Sequence, residues 1–146
     1  MSLEANKALV RRFFADVMDA GQTDLVYEMF APDCRVQYPH QPEPRVGADV
    51  VAAALAEARS RQSSIVTHID LLLAEGNLVA ARVRHDVVFN SDIPSRNGTL
   101  KAAGRSVSWL AHVIFRIEDG RITEQWVQRD EAGILEQLDA LPPTHA

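Results

Sequence analysis

The spacing of apolar residues changes once along the chain, from a helical pattern to an extended one. Near the N-terminus, apolar residues recur at three- and four-residue intervals, which predicts an amphipathic helix that ends at Gly21. A short helix over about residues 23–30 and a third helix over about residues 50–58 follow. Between them, Cys34, Val36 and Tyr38 alternate with polar residues and predict a short strand.

From Ile65 to Arg129 apolar and polar residues alternate, which predicts a long antiparallel meander. A last helix over about residues 130–138 closes the pattern. Helices, then a meander, then a closing helix predict an α+β fold, with the helices laid on one face of a curved sheet. The length of 146 residues fits one domain over residues 1–146 with a substantial core.

The first predicted hairpin has a register that follows from its apolar faces. Both strands have their apolar residues at odd positions, so a three-residue turn at Glu75, Gly76 and Asn77 lets the two sets face together. That register sets Asp70 opposite Arg82 on the outer face and His85 beside Thr67 on the apolar face. The apolar sets are Ile65, Ile69, Leu71 and Leu73 on one strand and Val79, Ala81, Val83, Val87 and Phe89 on the other.

The second predicted hairpin carries the candidate chemistry. Asp119-Gly120 between two apolar-patterned runs is a strong hairpin signal, and a two-residue loop pairs Trp109 with Asp130. In this register Val113 faces Trp126 and Ala111 faces Gln128. One polar cluster is therefore expected on the apolar side of the sheet: His85, Gln128 and Asp130, with Tyr38 as a further candidate. Such a cluster is typical of a pocket.

Asp130 is the leading candidate for an acid/base residue. A carboxylate kept partly out of water beside tryptophan becomes a usable base. The alternative is structural, because Asp130 stands at the start of the last helix, where aspartate is a favoured N-cap. His85 is either a satisfied interior histidine or a group that polarises a carbonyl or orients Asp130.

The other candidates are substrate-binding residues. Trp109 and Trp126 are expected to form the cavity walls. Tyr38 either donates its hydroxyl to a developing enolate oxygen or only rims the pocket. Gln128 either binds substrate or hydrogen-bonds its neighbours.

Composition and charge exclude several classes of function. The net charge of −5 and pI near 5.5 argue against nucleic-acid binding, which needs a basic surface. A single cysteine, Cys34, allows no internal disulfide, which fits a reducing compartment. The sequence shows neither a signal-type segment nor an 18-residue apolar run. A cytoplasmic protein without a membrane segment is therefore expected. The histidines, at 40, 68, 85, 112 and 145, include no close pair, and no metal site is expected.

The outer face of the meander is more apolar than a solvated face requires. It is expected to carry Val66, Leu72, Leu110, Ile114 and Val127 among charged residues. We therefore expect this face to form the interface of a homodimer or a higher homo-oligomer.

Two segments resemble those of a known family, the SnoaL-like polyketide cyclases. They are GRITEQWVQRDEAGILEQL, at residues 120–138, and VRHDVVFN, at residues 83–90, which resembles a strand with a pocket histidine. The family belongs to the superfamily with the nuclear transport factor 2 fold, together with ketosteroid isomerase. The resemblance implies a cone-shaped, strongly curved mixed or antiparallel sheet around N-terminal helices, with a central apolar pocket and a short C-terminal helix. It also implies aldol ring closure without metal or cofactor, with Asp130 as the acid/base residue.

The expected function is therefore that of a cofactor-independent enzyme acting on a small, apolar, carbonyl-containing molecule. Asp130 and His85 are the expected catalytic residues, and Tyr38, Trp109, Trp126 and Gln128 the expected substrate-binding ones. The alternatives are a double-bond isomerase or dehydratase, a non-catalytic dimer that holds a hydrophobic ligand, or a partner-binding scaffold with a filled interior.

Overall fold

A computed structural model describes residues 2–95 and 98–141 of the chain. The first helix, α1 (Leu3–Arg12), starts at Ser2, whose hydroxyl accepts the Ala5 N–H, and continues as a π-helical segment (Phe13–Asp19). The other helical elements are a 3₁₀ turn (Thr23–Leu25), α2 (Val26–Met29), α3 (Ala48–Ser60) and α4 (Glu131–Gln137). Across the described residues, no helix combines the length and the apolar character needed to cross a membrane.

One six-stranded sheet forms most of the rest of the fold. The described residues contain eight strands, and six of them belong to this sheet. The eight are β1 (Phe30–Gln37), β2 (Arg45–Val46), β3 (Gln62–Glu75), β4 (Leu78–Phe89), β5 (Ile93–Ser95), β6 (Gly98–Leu100), β7 (Ser106–Glu118) and β8 (Arg121–Arg129). The sheet order is β2-β1-β8-β7-β4-β3, and all neighbours are antiparallel except β1 and β8, which run parallel. Strands β5 and β6 form a separate hairpin. The predicted α+β class and the mixed sheet are confirmed.

The core lies between the π-helical segment and the inner face of the sheet. Phe13 packs edge-to-face against Phe30 and Phe115, with ring centroids 5.6 and 5.7 Å apart. A helix with i→i+5 hydrogen bonds, such as the one from the Ala20 N–H to the Ala15 carbonyl, shifts the phase of the side chains along this segment. Phe13, Phe14 and Val17 thereby all become buried.

The first hairpin differs from its predicted register near the turn. The turn contains two residues, Gly76 and Asn77, instead of three. A bulge at Asp70 adds one residue to β3 and so compensates for the shorter turn. Beyond the bulge the prediction is confirmed, because Thr67 pairs with His85. Between bulge and turn it is wrong, since Leu71 and Leu73 are 56% and 64% exposed.

The second hairpin also contains a bulge, and here the predicted register is wrong over its functional half. The two-residue turn at Asp119 and Gly120 is as expected, but Thr123 is an extra residue opposite the step from Arg116 to Ile117. From there to its end β8 is shifted by one residue, so Trp126 pairs with Ile114 rather than Val113. Because side chains alternate, a shift of one residue exchanges the two faces of the strand.

The same bulges change the composition of the outer sheet face. Leu72 and Val127, expected on that face, pack against the core instead. Val66, Leu110 and Ile114 are exposed there as predicted. An interface between copies on this face stays a prediction, and size-exclusion chromatography giving a monomer at micromolar concentration would contradict it.

Candidate active site

An internal cavity lies between the helices and the inner face of the sheet, with a volume of about 230 Å³. We call it the inner cavity. It adjoins a larger, more open cleft of about 570 Å³, the outer cleft, with which it shares Gln41, Ala58, Gln62, Trp109 and Arg129. Most of the inner wall is apolar, and the polar lining groups are Tyr38, Gln41, Arg45, Gln62, His85, Gln125 and Arg129. An apolar space with a few convergent polar groups is the usual form of a small-molecule site.

His85 lies in the middle of β4 and points into this cavity. Its side chain is 4% exposed and packs against Phe14 and Trp109, at ring-centroid distances of 6.1 and 5.6 Å. Its Nδ1 lies 2.8 Å from the Thr67 hydroxyl on the neighbouring strand. Nε2 has no hydrogen-bond partner among the described residues, so this is the atom available to a ligand.

A carboxylate behind Thr67 determines which nitrogen of His85 carries the proton. The Thr67 hydroxyl donates to Asp19 Oδ1 at 2.7 Å, and Asp19 Oδ2 accepts the Thr67 backbone N–H at 2.8 Å. The hydroxyl has a single proton, so its oxygen must accept from His85 Nδ1–H. His85 is therefore held as the tautomer whose Nε2 lone pair is free to accept a proton.

Burial also determines the charge of His85. Loss of solvation, helped by the Arg129 guanidinium, lowers the pKa of His85 to about 4, although Asp86 opposes the change. The imidazole is therefore neutral at neutral pH and acts as a hydrogen-bond acceptor or a base.

Tyr38 and Arg45 lie together on another part of the wall. The Arg45 guanidinium stacks over the Tyr38 ring at 4.9 Å, and its Nε donates to Gln41 Oε1 at 3.3 Å. Burial raises the pKa of Tyr38, against the effect of the Arg45 and Arg129 charges. The Tyr38 hydroxyl thus keeps its proton and can donate it in a hydrogen bond.

Two polar residues of β8, Gln125 and Arg129, reach the cavity together with Val127 because of the bulge at Thr123. Gln125 is 6% exposed, and Arg129 stands where the inner cavity meets the outer cleft. Arg129 Nε is 2.6 Å from Glu131 Oε1, so its charge is shared with the first residue of α4.

Three of the six predicted site residues line the inner cavity, and three do not. His85, Tyr38 and Trp109 line it. Trp126 lies on the opposite face of β8, where the Arg116 guanidinium stands 5.7 Å from its ring centroid. Gln128 is exposed and pairs with His112 across the strands, so the predicted cluster of His85, Gln128 and Asp130 on one face is wrong.

Asp130 is an exposed helix cap in this structure. Its Oδ1 accepts the Gly133 N–H at 2.9 Å at the start of α4, and the side chain lines neither the inner cavity nor the outer cleft. The capping alternative is therefore observed. The predicted acid/base role gains no support from this geometry.

Sequence reasoning did not select Asp19, Arg45, Gln125 or Arg129 as site residues. Asp19 ends the π-helical segment and is 48 positions from Thr67, so no local pattern connects them. Gln125 and Arg129 lie on the same face of β8 as Val127, because side chains alternate along a strand. The inward-facing Val127 was the one available signal of the true register. Among the described residues, no group of three His, Cys, Asp or Glu side chains could hold a metal ion.

The mixed sheet curves around the N-terminal helices and encloses a mainly apolar cavity with one buried histidine. This architecture is the cone fold of the nuclear transport factor 2-like proteins. The sequence profile of the SnoaL-like polyketide cyclases matches residues 8–138, and the chain belongs to that family. A search of curated proteins gave no significant match.

Solved structures share this fold at low sequence identity. TsrD from Streptomyces laurentii superposes with a TM-score of 0.81 at 24% identity, over 97% of this chain and 99% of that one. AclR from Streptomyces galilaeus gives 0.82 at 19% identity, over 99% and 87%. An LEH-like epoxide hydrolase from M. tuberculosis gives 0.73 at 16% identity, over 93% and 90%. At these identities the likeness shows the fold alone, because one fold serves different reactions.

Proposed function

We propose that this protein is a cofactor-independent acid/base enzyme acting on a small, apolar, carbonyl-containing molecule, and that its reaction is an aldol ring closure of the polyketide-cyclase type. The observation that carries the proposal is the buried His85, neutral and held by Thr67 and Asp19 with Nε2 available in an apolar cavity. Family membership supports the reaction type.

In this proposal His85 replaces Asp130 as the base. Nε2 removes a proton from a carbon next to a carbonyl, and the enolate oxygen accepts a hydrogen bond from the protonated Tyr38 hydroxyl. The enolate carbon then attacks a second carbonyl of the same molecule and forms the new C–C bond. The resulting alkoxide takes the proton back from His85, so atoms and charge balance without any co-reactant.

The low basicity of His85 restricts the substrate. A group whose conjugate acid has a pKa of about 4 is a weak base, so the carbon it deprotonates must already be acidified, as a carbon between two carbonyls is. When the proton arrives, the Asp19 carboxylate behind Thr67 stabilises the imidazolium through the hydroxyl. Burial and Arg129 thus keep the imidazole of the free enzyme neutral, whereas Thr67 and Asp19 assist the charged intermediate.

A probe reaction tests the proton abstraction without the natural substrate. The benzylic α-hydrogen of 2-tetralone, a small apolar ketone, exchanges with D₂O, and proton NMR follows the loss of its signal. We expect the parent protein to accelerate exchange and His85→Gln to lose that acceleration. Asp130→Asn is the matched control, because Asp130 lies outside the cavity, and it should exchange like the parent.

The second candidate, a non-catalytic protein that holds a hydrophobic ligand, is favoured by the mostly apolar wall and the weak basicity of His85. It predicts that 2-tetralone binds but does not exchange faster than in buffer. That result with correctly folded protein would contradict the enzyme proposal.

A further inference from the structure

The charged groups that line the inner cavity are of one sign. They are the guanidinium groups of Arg45 and Arg129, and none of the described residues that line the cavity is an aspartate or glutamate. Two carboxylates lie behind this wall: Asp19 beyond Thr67, and Glu131 on the cleft side of Arg129. A low-dielectric space bordered by cations favours a negatively charged ligand.

Arg45 is the better placed of the two cations. It forms the short strand β2 with Val46 and pairs with Val36 of β1, so its backbone is fixed by the sheet. Its side chain is oriented by the Tyr38 ring and by Gln41. The Gln41 Oε1 accepts a hydrogen bond from the Arg45 Nε–H alone. Among the described residues no carboxylate lies within ion-pair distance of it, which leaves the N–H groups at the end of the guanidinium available.

Such a guanidinium matches a particular chemistry. Its planar, always charged fork binds a carboxylate through two parallel hydrogen bonds, and those bonds are stronger than neutral ones. Tyr38 adds a neutral hydroxyl donor beside it, and Arg129 adds a second cation at the entrance from the outer cleft. Both guanidinium groups lie close enough to Tyr38 to oppose the rise of its pKa on burial, and the other polar groups of the wall, Gln41, Gln62, His85 and Gln125, are uncharged.

We propose that the substrate carries a carboxylate, which Arg45 and Arg129 hold while the apolar, carbonyl-bearing remainder extends toward His85. This inference deepens the proposed function and rests on the same cavity being the active site. It assigns Arg45 and Arg129 to substrate recognition rather than to proton transfer. The expected substrate class is therefore a small keto carboxylic acid, rather than a neutral ketone or an ester.

Matched probes test the charge preference without any turnover. The anion 2-naphthoate and the neutral 2-naphthamide have nearly the same shape, and isothermal titration calorimetry measures the affinity of each. We expect naphthoate to bind at least about tenfold more tightly, the effect of one or more charge-assisted hydrogen bonds. Equal affinities, or no saturable naphthoate binding at millimolar concentration, would overturn the proposal.

Arginine variants locate the effect. Arg45→Gln should weaken naphthoate binding about tenfold and leave naphthamide binding unchanged. Arg129→Gln should also weaken naphthoate binding, but by less, since Glu131 already shares that charge. Arg11→Gln, on the exposed surface of α1, is the control and should bind both probes like the parent. If Arg45→Gln weakens both probes equally, the side chain only shapes the cavity and the proposal is wrong.

The two tryptophans show where the probe binds. Trp109 lines the inner cavity, whereas Trp126 lies on the other face of the sheet. Naphthoate should shift the indole N–H signal of Trp109 in a ¹H–¹⁵N spectrum and leave that of Trp126 in place; the reverse would overturn the proposal. His85→Gln should retain the naphthoate preference, so loss of exchange in that variant and loss of anion binding in Arg45→Gln test the two proposals separately.

Discussion

His85 and Asp130 are the two residues that the sequence singles out as catalytic, and the structure gives them opposite environments. His85 is buried, bonded through Thr67 to Asp19, and lines the inner cavity. Asp130 is exposed and its carboxylate accepts a backbone N–H at the start of α4. Their hydrogen bonds are of similar length, so burial and the facing cavity, rather than hydrogen bonding, separate a candidate catalytic group from a structural one.

The largest expected effect comes from removing the base. His85→Gln keeps an amide of similar polarity but has no group that accepts a proton at neutral pH. We expect the rate of α-proton exchange to fall by about 10²–10⁴-fold, the usual contribution of a positioned general base. Exchange at the parent rate, with an unchanged circular dichroism spectrum, would place the base elsewhere and reopen the comparison with Asp130.

The next effect concerns stability as a function of pH. In the unfolded chain His85 takes up a proton near pH 6.5, but in the folded chain only near pH 4, so the unfolded state binds more protons between these values. The free energy of unfolding should therefore fall as the pH drops from about 6.5 to 4, by roughly 3 kcal/mol. Urea unfolding at several pH values measures this. His85→Gln should flatten that part of the curve, and an identical slope in the variant would contradict the assigned burial.

A smaller effect is expected from the hydroxyl between His85 and Asp19. Thr67→Val keeps the side-chain shape but leaves the buried Nδ1–H without its acceptor, which should cost about 1–3 kcal/mol of stability. The ¹⁵N shifts of His85 should then show a mixture of tautomers, and exchange should slow about tenfold. Thr67→Ser should restore the single tautomer, an outcome that mere loss of packing would not give.

The smallest effect is expected at the helix cap. Asp130→Ala should destabilise the protein by about 1 kcal/mol, the usual value of an N-cap, whereas Asp130→Asn should retain most of it. Neither variant should change the exchange rate. A large loss of rate in Asp130→Asn, with stability intact, would show that Asp130 rather than His85 is the base.

The element order and the α+β class were predictable because hydrophobic periodicity and turn residues are local signals. The pairing of Thr67 with His85 was predictable from the alternation alone, since the turn has two residues rather than three and the bulge at Asp70 compensates. The faces of Trp126 and Asp130 were not, since the bulge at Thr123 reverses every later side chain of β8 and Val127 is its single mark in the alternation. Asp19 was not predictable because its contact with Thr67 depends on how a helix packs against a distant strand.

The π-helical segment that ends at Asp19 has a consequence for how this site tolerates insertions and deletions. A π turn corresponds to an α-helix with one added residue, and one residue turns an α-helix by about 100°. Deletion of one residue between Phe13 and Asp19 would be absorbed, because the segment can relax to an ordinary helix, but deletion of a second residue would turn the end of the helix by about 100° and carry the carboxylate away from Thr67. The proton-bearing nitrogen of His85 thus depends on the number of residues in a helix that also supplies Phe13, Phe14 and Met18 to the cavity wall, so a larger change of length there would alter the tautomer and the wall together.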